Sequence, residues 1–115
     1  MNLKEIVEIL ECEVLTPNAD LEIEVECAFG ADLISDILMR TQEPTLLLSG
    51  LTNPQIIRLS DMIDLFGIVF VRGKTPAEDL IKMADERGLP LLSTDLSMYE
   101  SCGKLYREGL RSCKI

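Results

Sequence analysis

The sequence contains no histidine and no tryptophan. Without histidine, Ser-His and Cys-His nucleophile pairs and histidine-ligated metal sites are excluded, which removes most hydrolase mechanisms and most zinc sites. Acid–base chemistry near neutral pH would then need a Glu, Asp, Lys or Cys with a perturbed pKa. The composition therefore favours a protein that is not an enzyme and that carries no metal and no cofactor.

Long apolar runs and basic patches are missing as well. No run of about 18 apolar residues is present, and the N-terminus has neither a basic region nor an apolar core of a signal peptide. The net charge is −9, and residues 1–43 hold 11 acidic residues against Lys4 and Arg40. Such a chain is not expected to bind nucleic acid or an anionic membrane surface. These absences predict a cytoplasmic protein.

The four cysteines do not form any Cys-x-x-Cys pair. Their spacing gives no support for a zinc or iron–sulfur site. In a reducing cytoplasm we expect free, buried or partly buried thiols. The four are Cys12, Cys27, Cys102 and Cys113.

The 115 residues are 47% hydrophobic, which is enough for one domain with a buried core. Residues 1–27 are predicted to form an acidic N-terminal helix and strand. Leu3, Ile6 and Leu10 recur at helical spacing behind a capping box of Asn2 and Glu5. Residues 21–27 alternate between apolar and Glu positions, which predicts a half-buried strand, and residues 28–31 are interpreted as a link to a second helix capped by Asp32.

From residue 45 the chain repeats a strand, a loop and a helix with a period of 22–23 residues. Strands are predicted at about 45–49, 68–72 and 91–94, all of them continuous apolar runs typical of a sheet that is covered on both faces. Asn53-Pro54 and Thr75-Pro76 are predicted helix starts, and Gly67 and Gly88 are predicted helix ends. Successive βα units predict a single α/β domain over residues 1–115, with a mainly parallel sheet and helices on both faces.

Ligands of open parallel sheets bind beyond the carboxyl ends of the strands. The loops at this edge are expected to offer free N–H groups, hydroxyls and the positive charges of Arg72 and Lys74, which together suit a phosphate, nucleotide or carboxylate. Each hydroxyl is also good helix-capping chemistry, so capping remains the alternative for it. The candidate ligand-binding residues are Asp32, Ser49, Gly50, Thr52, Asn53, Arg72, Gly73, Lys74, Ser93 and Thr94.

Four stretches resemble stand-alone DRTGG-domain proteins. They are ADLISDIL (31–38), LLLSGLTNPQIIR (46–58), GIVFVRGKTP (67–76) and RGLPLLSTDLSMYESCGKLYREGL (87–110), and the resemblance spans residues 28–110. Such domains are similar to the N-terminal regulatory domain of HPr serine kinase. The chain departs from the namesake pattern, because Leu51-Thr52 follows Gly50 where the family often has Asp-Arg, and Val71-Arg72-Gly73 stands where it often has Thr-Gly-Gly.

The resemblance implies an α/β regulatory module that is usually a homodimer and binds a ligand or a regulated enzyme or signalling partner. In relatives that also carry CBS domains, it is associated with adenine-nucleotide sensing. The leading hypothesis is a non-catalytic module that binds a small anion such as an adenine nucleotide at the carboxyl edge. The alternatives are a protein–protein interaction module with no small ligand, using the acidic N-terminal third, and a small enzyme acting on a phosphorylated substrate through Arg72, Lys74 and a carboxylate such as Asp32.

Overall fold

The apolar runs in the second half of the chain form the middle of a sheet with helices on both sides. The structure is a computed structural model, and it describes residues 1–37 and 43–114. Within these residues the strands are β1 (Glu13–Val14), β2 (Cys27–Gly30), β3 (Thr45–Ser49), β4 (Leu65–Phe70), β5 (Leu91–Ser93) and β6 (Arg111–Ser112). The helices are α1 (Leu3–Leu10), α2 (Ile34–Ile37), α3 (Pro54–Arg58), α4 (Glu78–Glu86) and α5 (Met98–Arg107), and a 3₁₀ turn (Leu59–Asp61) follows α3.

The described strands make one six-stranded sheet in the order β1-β5-β4-β3-β2-β6. β5, β4, β3, β2 and β6 run parallel to one another, and β1 is antiparallel to β5. The predicted single α/β domain with a mainly parallel sheet is confirmed, as are parallel strands in the three predicted regions. β4 begins earlier than predicted, at Leu65.

The two faces of the sheet carry separate apolar cores, because successive strand residues point to opposite faces. On one face, Leu47 and Phe70 pack with Ile56 of α3 and Leu80 of α4. The other face belongs to α1 and α5, whose buried members pack on Leu46, Leu48 and Val69. This arrangement confirms helices on both faces of the sheet.

Helix starts follow the predicted capping chemistry at two of the four predicted places, α1 and α3. Asn2 and Glu5 form the capping box of α1. The Asn53 side chain accepts from the Ile56 N–H at the start of α3. The prediction for Thr75 was wrong: α4 starts at Glu78 with Ala77 as its N-cap, so Thr75 caps nothing and the Pro76 ring is buried before the helix begins.

Several sequence predictions between residues 21 and 37 need correction. Residues 21–26 make only one isolated bridge, between Glu24 and Asn2, although their burial alternates as predicted. The ladder instead starts at Cys27, and the predicted link 28–31 contains most of β2. β2 is an interior strand of the sheet, because β3 pairs with it on one side and β6 on the other. The end of the predicted second helix, including Leu38, lies outside the described residues.

Gly67 does not end a helix, because it lies in the middle of β4. A Cβ at this position would come within 3.3 Å of Leu3 Cδ2 and 3.4 Å of Leu46 Cδ1. The glycine therefore allows α1 to approach the sheet closely. Gly88 does follow α4 in a left-handed conformation, with φ of +71°, as predicted.

The expectation of four free thiols was wrong. Cys27, at the start of β2, and Cys113, just after β6, form a disulfide. Both residues are buried, so the bond fastens the C-terminal strand to the interior of the sheet. Cys12 and Cys102 are free and partly buried.

Candidate functional site

Four neighbouring parallel strands end at the same edge of the sheet. β2 leads into Asp32, β3 into Gly50, β4 into Arg72, and β5 into Thr94. Because β2, β3 and β4 are adjacent in the sheet, the first three of these residues are brought together. The candidate site is this part of the carboxyl edge, and below it is called the edge site (Asp32, Ser49, Gly50 and Arg72).

Asp32 binds the end of β3. Its Oδ1 accepts a hydrogen bond of 2.7 Å from the Gly50 N–H and one of 3.2 Å from Ser49 Oγ. Ser49 Oγ in turn accepts from the Leu51 N–H at 3.1 Å. Asp32 was predicted to cap the second helix, but its carboxylate lies across the loop after β3 instead.

Arg72 lies in an unusual backbone conformation. Its φ is +57°, which is uncommon for a residue with a side chain, and Gly73 follows with a φ of +69°. The two N–H groups donate to the carbonyls of Leu96 and Thr94, both at 2.8 Å. These bonds fix the loop after β4 to the loop after β5 and hold Arg72 over the edge.

The guanidinium of Arg72 reaches toward Gly50. Arg72 Nη2 lies 3.2 Å from the position that a Cβ on Gly50 would occupy, and Asp32 Oδ1 lies 3.5 Å from the same position. The side chain is exposed, and no carboxylate of residues 1–37 or 43–114 forms an ion pair with it. An exposed cation on a constrained loop is therefore available to an anion.

The other predicted ligand residues do not join this cluster. Asn53 caps α3. Ser93 Oγ donates to the Lys74 carbonyl at 3.0 Å, and Thr94 Oγ1 donates to the Leu10 carbonyl at 2.7 Å. Thr52 is half-buried in the loop before α3, and Lys74 is exposed next to the Arg72 loop. Asn53 therefore caps a helix, whereas Ser93 and Thr94 bind the carbonyls of other loops and helices and do not cap a helix N-terminus.

Four of the backbone N–H groups that were expected to be free at this edge are not free. Those of Gly50, Leu51, Arg72 and Gly73 all donate to protein acceptors. Positive charge at the edge therefore comes from the side chains of Arg72 and Lys74. The missing Cβ of Gly73 allows the Asp95 carboxylate to approach the loop, because a Cβ there would lie 3.1 Å from Asp95 Oδ1.

A second feature is the outer side of α5. Tyr99 and Tyr106 are 91% and 71% exposed. With Cys102 and Gly103 they line a shallow groove of about 370 Å³, called below the tyrosine face. Behind it, a smaller cavity of about 160 Å³ lies between α5, β2 and β6.

The titratable groups with shifted pKa values lie away from the edge site. Burial raises the pKa of the Cys12 thiol to about 12 and also raises the pKa of Cys102. The hydrogen bond that Arg111 donates to the Glu43 carboxylate raises the pKa of the Arg111 guanidinium. Both free thiols therefore remain protonated at neutral pH, which makes them poor nucleophiles.

Two further features are absent from residues 1–37 and 43–114. No cluster of three or more Cys, Asp or Glu side chains there could hold a metal ion. No helix among them has both the length and the apolar character that crossing a membrane requires.

Comparison with known proteins gives a match of fold. Neither a protein-family model nor a curated protein matches the sequence. The crystal structure of the CBS and DRTGG domains of the regulatory region of Clostridium perfringens pyrophosphatase, complexed with the activator diadenosine tetraphosphate, matches with a TM-score of 0.74 and 16% sequence identity. The match covers 90% of this chain but only 45% of the pyrophosphatase chain. This chain therefore has a fold similar to that found in a CBS and DRTGG regulatory region.

Proposed function

We propose that this chain is a non-catalytic regulatory module of the DRTGG type, which binds a small anion at the edge site. The observation that carries the proposal is the Arg72 guanidinium. It is exposed, held by a left-handed backbone and directed over Gly50. Uncommon backbone conformations tend to persist at functional sites, where the surrounding structure maintains them. An arginine fork recognises phosphate and carboxylate groups through paired hydrogen bonds.

An adenine nucleotide is the first ligand to test. The pyrophosphatase region of similar fold was crystallised with a dinucleoside polyphosphate activator. Phosphates would use Arg72, with Lys74 adding charge nearby.

The test is isothermal titration calorimetry with phosphate, AMP, ATP and diadenosine tetraphosphate. We expect binding by the wild type, at least about tenfold weaker binding by Arg72→Ala, and weaker binding at higher salt. Arg58→Ala is the matched control, because it removes an exposed arginine from the last turn of α3. Absence of binding to all four ligands at millimolar concentration would reject the proposal, and equal affinity of wild type and Arg72→Ala would place the site elsewhere.

The second candidate is an interaction module without a small ligand, and the tyrosine face favours it. Large exposed aromatic side chains are typical of protein interfaces. The acidic surface of residues 1–27 would add charge for a basic partner. A chain that binds no anion but forms a saturable complex with a regulated protein would support this candidate.

An enzyme is the least favoured interpretation. Ser49 is the hydroxyl nearest to a carboxylate at the edge site, since its Oγ donates to Asp32. Its side chain is fully buried and also accepts from Leu51, so a substrate cannot reach it. Turnover of a phosphorylated substrate by the wild type would revive this interpretation.

A further inference from the structure

Asp32 already occupies the place where an anion would bind. A backbone N–H has one proton to donate, and the Gly50 N–H gives it to Asp32 Oδ1 at 2.7 Å. The Ser49 hydroxyl donates to the same oxygen. A protein carboxylate therefore takes the Gly50 N–H that a phosphate oxygen would otherwise use.

The carboxylate also faces the same space as the cation. The Cβ position above Gly50 lies 3.2 Å from Arg72 Nη2 and 3.5 Å from Asp32 Oδ1. An anionic oxygen that approached Arg72 through this space would lie close to the negative charge of Asp32. Two like charges at such a separation repel, and the repulsion grows as water is excluded.

We infer that Asp32 is an internal anion that competes with the ligand for the edge site. The inference rests on the proposed function, and it concerns how that site is regulated. Binding would require the Asp32 carboxylate to leave Gly50 and Ser49. Because Asp32 lies between β2 and α2, its departure would move the segment that joins these elements, so that occupancy of the site is coupled to the position of α2.

The opposite role for Asp32 is that of a direct ligand residue, which accepts a hydrogen bond from a ligand hydroxyl. The two roles predict effects of opposite sign. Removing an internal competitor strengthens binding, whereas removing a ligand contact weakens it.

The experiment measures ATP and phosphate affinity by calorimetry for wild type, Asp32→Asn and Asp32→Ala. Asp36→Asn is the matched control, because it removes an exposed acidic charge from α2, and Asp36 makes no described side-chain bond to β3. We expect both Asp32 variants to bind about tenfold more tightly than wild type, which corresponds to ~1.4 kcal/mol, and Asp36→Asn to match wild type. Adding Arg72→Ala to Asp32→Ala should remove the gain.

Each remaining outcome separates this inference from the proposed function. Weaker or unchanged binding by the Asp32 variants, with binding by wild type, overturns the inference and leaves the edge site in place. Absence of binding by wild type and by every variant overturns both. Binding by the Asp32 variants alone supports competition by Asp32 and rejects anion binding by the wild type. Circular dichroism checks folding, and Asp32→Asn, which keeps an acceptor oxygen for Gly50, carries the test if Asp32→Ala does not fold.

Discussion

Arg72 combines a conformational cost with an available charge. A residue with a Cβ adopts the left-handed conformation at a cost of ~1–2 kcal/mol relative to glycine. The greater conformational freedom of glycine in the unfolded chain offsets part of this difference. The φ of +57° therefore lowers stability, which is consistent with the anion-binding role proposed for the side chain.

We expect Arg72→Gly to raise the free energy of unfolding by ~0.5–1 kcal/mol while it abolishes anion binding. Arg72→Ala should also lose binding but keep wild-type stability, because alanine retains the strained Cβ. Urea denaturation of the three proteins provides the measurement. A Gly variant that is less stable than wild type would show that the guanidinium contributes to folding.

Cys12 illustrates how burial controls chemistry at a single residue. Its pKa rises from 9.0 to about 12, so the thiolate fraction at pH 8 falls about a thousandfold. We expect iodoacetamide to label Cys12 far more slowly in the folded protein than in urea.

A thiol whose pKa is raised by folding stabilises the protein below its unfolded pKa, and this contribution is lost as the pH rises above 9.0. Cys12→Ala should lose less stability between pH 8 and 10 than wild type; an equal loss would contradict the assignment.

At the scale of elements, β6 depends on long-range bonds for its position. It has two residues, and three contacts fasten this part of the chain: pairing with β2, the Cys27–Cys113 disulfide and the ion pair of Arg111 with Glu43 at 2.6 Å. The disulfide spans a sequence separation of 86 residues, so it restricts the unfolded chain strongly.

Replacing both Cys27 and Cys113 by alanine should lower the stability of the oxidised protein by ~2–4 kcal/mol. The control is the Cys12→Ala, Cys102→Ala pair, which removes the same number of thiols and leaves the disulfide. Guanidinium denaturation with and without a reductant gives the comparison. The reductant should destabilise the Cys12/Cys102 variant, which keeps the disulfide, more than the Cys27/Cys113 variant, which lacks it. Equal destabilisation of the two variants would show that the disulfide does not stabilise the fold.

Elements with a strong local pattern were predictable from the sequence. The capping box of α1, the Asn53-Pro54 start of α3 and the apolar runs of β3 and β5 each carry their own signal. β2 does not, because its four residues form a strand only when β3 and β6 flank them. The prediction that Gly67 ends a helix was wrong for a similar reason. The contact that requires a glycine there comes from Leu3, which is distant in sequence.

The edge site was predictable in its members but not in its geometry. The βα units indicate that Gly50 and Arg72 lie at the same edge. The order of strands decides that Asp32 joins them, and nothing local in the sequence shows that β2 lies beside β3. The hydrogen bond of Asp32 to Gly50 could therefore not be predicted, nor could the use of the edge N–H groups by protein acceptors.

At the scale of the whole molecule, the tyrosine face is a candidate for self-association, and we propose a homodimer. Residues 99, 102, 103 and 106 are spaced symmetrically about the middle of α5, with the small residues at the centre. An antiparallel pair of α5 helices would bring Tyr99 close to the partner's Tyr106. It would also allow close approach at Gly103, where a Cβ would meet no other atom within 4 Å. A stable interface should bury at least ~1,000 Å² in total.

Sedimentation equilibrium should show a dimer of the wild type at micromolar concentration and a monomer for Tyr99→Glu, Tyr106→Glu. Glu100→Gln is a suitable control, because it changes an exposed charge in the first turn of the same helix. A wild-type monomer at high micromolar concentration would contradict the proposal.

The central claim is that an anion binds where β2, β3 and β4 end. A ¹⁵N–¹H correlation titration of the 12.8 kDa chain with ATP tests it most directly, because each backbone amide reports separately. The account predicts that the largest shifts occur at Gly50, Leu51, Arg72 and Gly73, and that Arg72→Ala abolishes them. Saturable shifts confined to α5 and β6, or none up to millimolar ATP and phosphate, would contradict it.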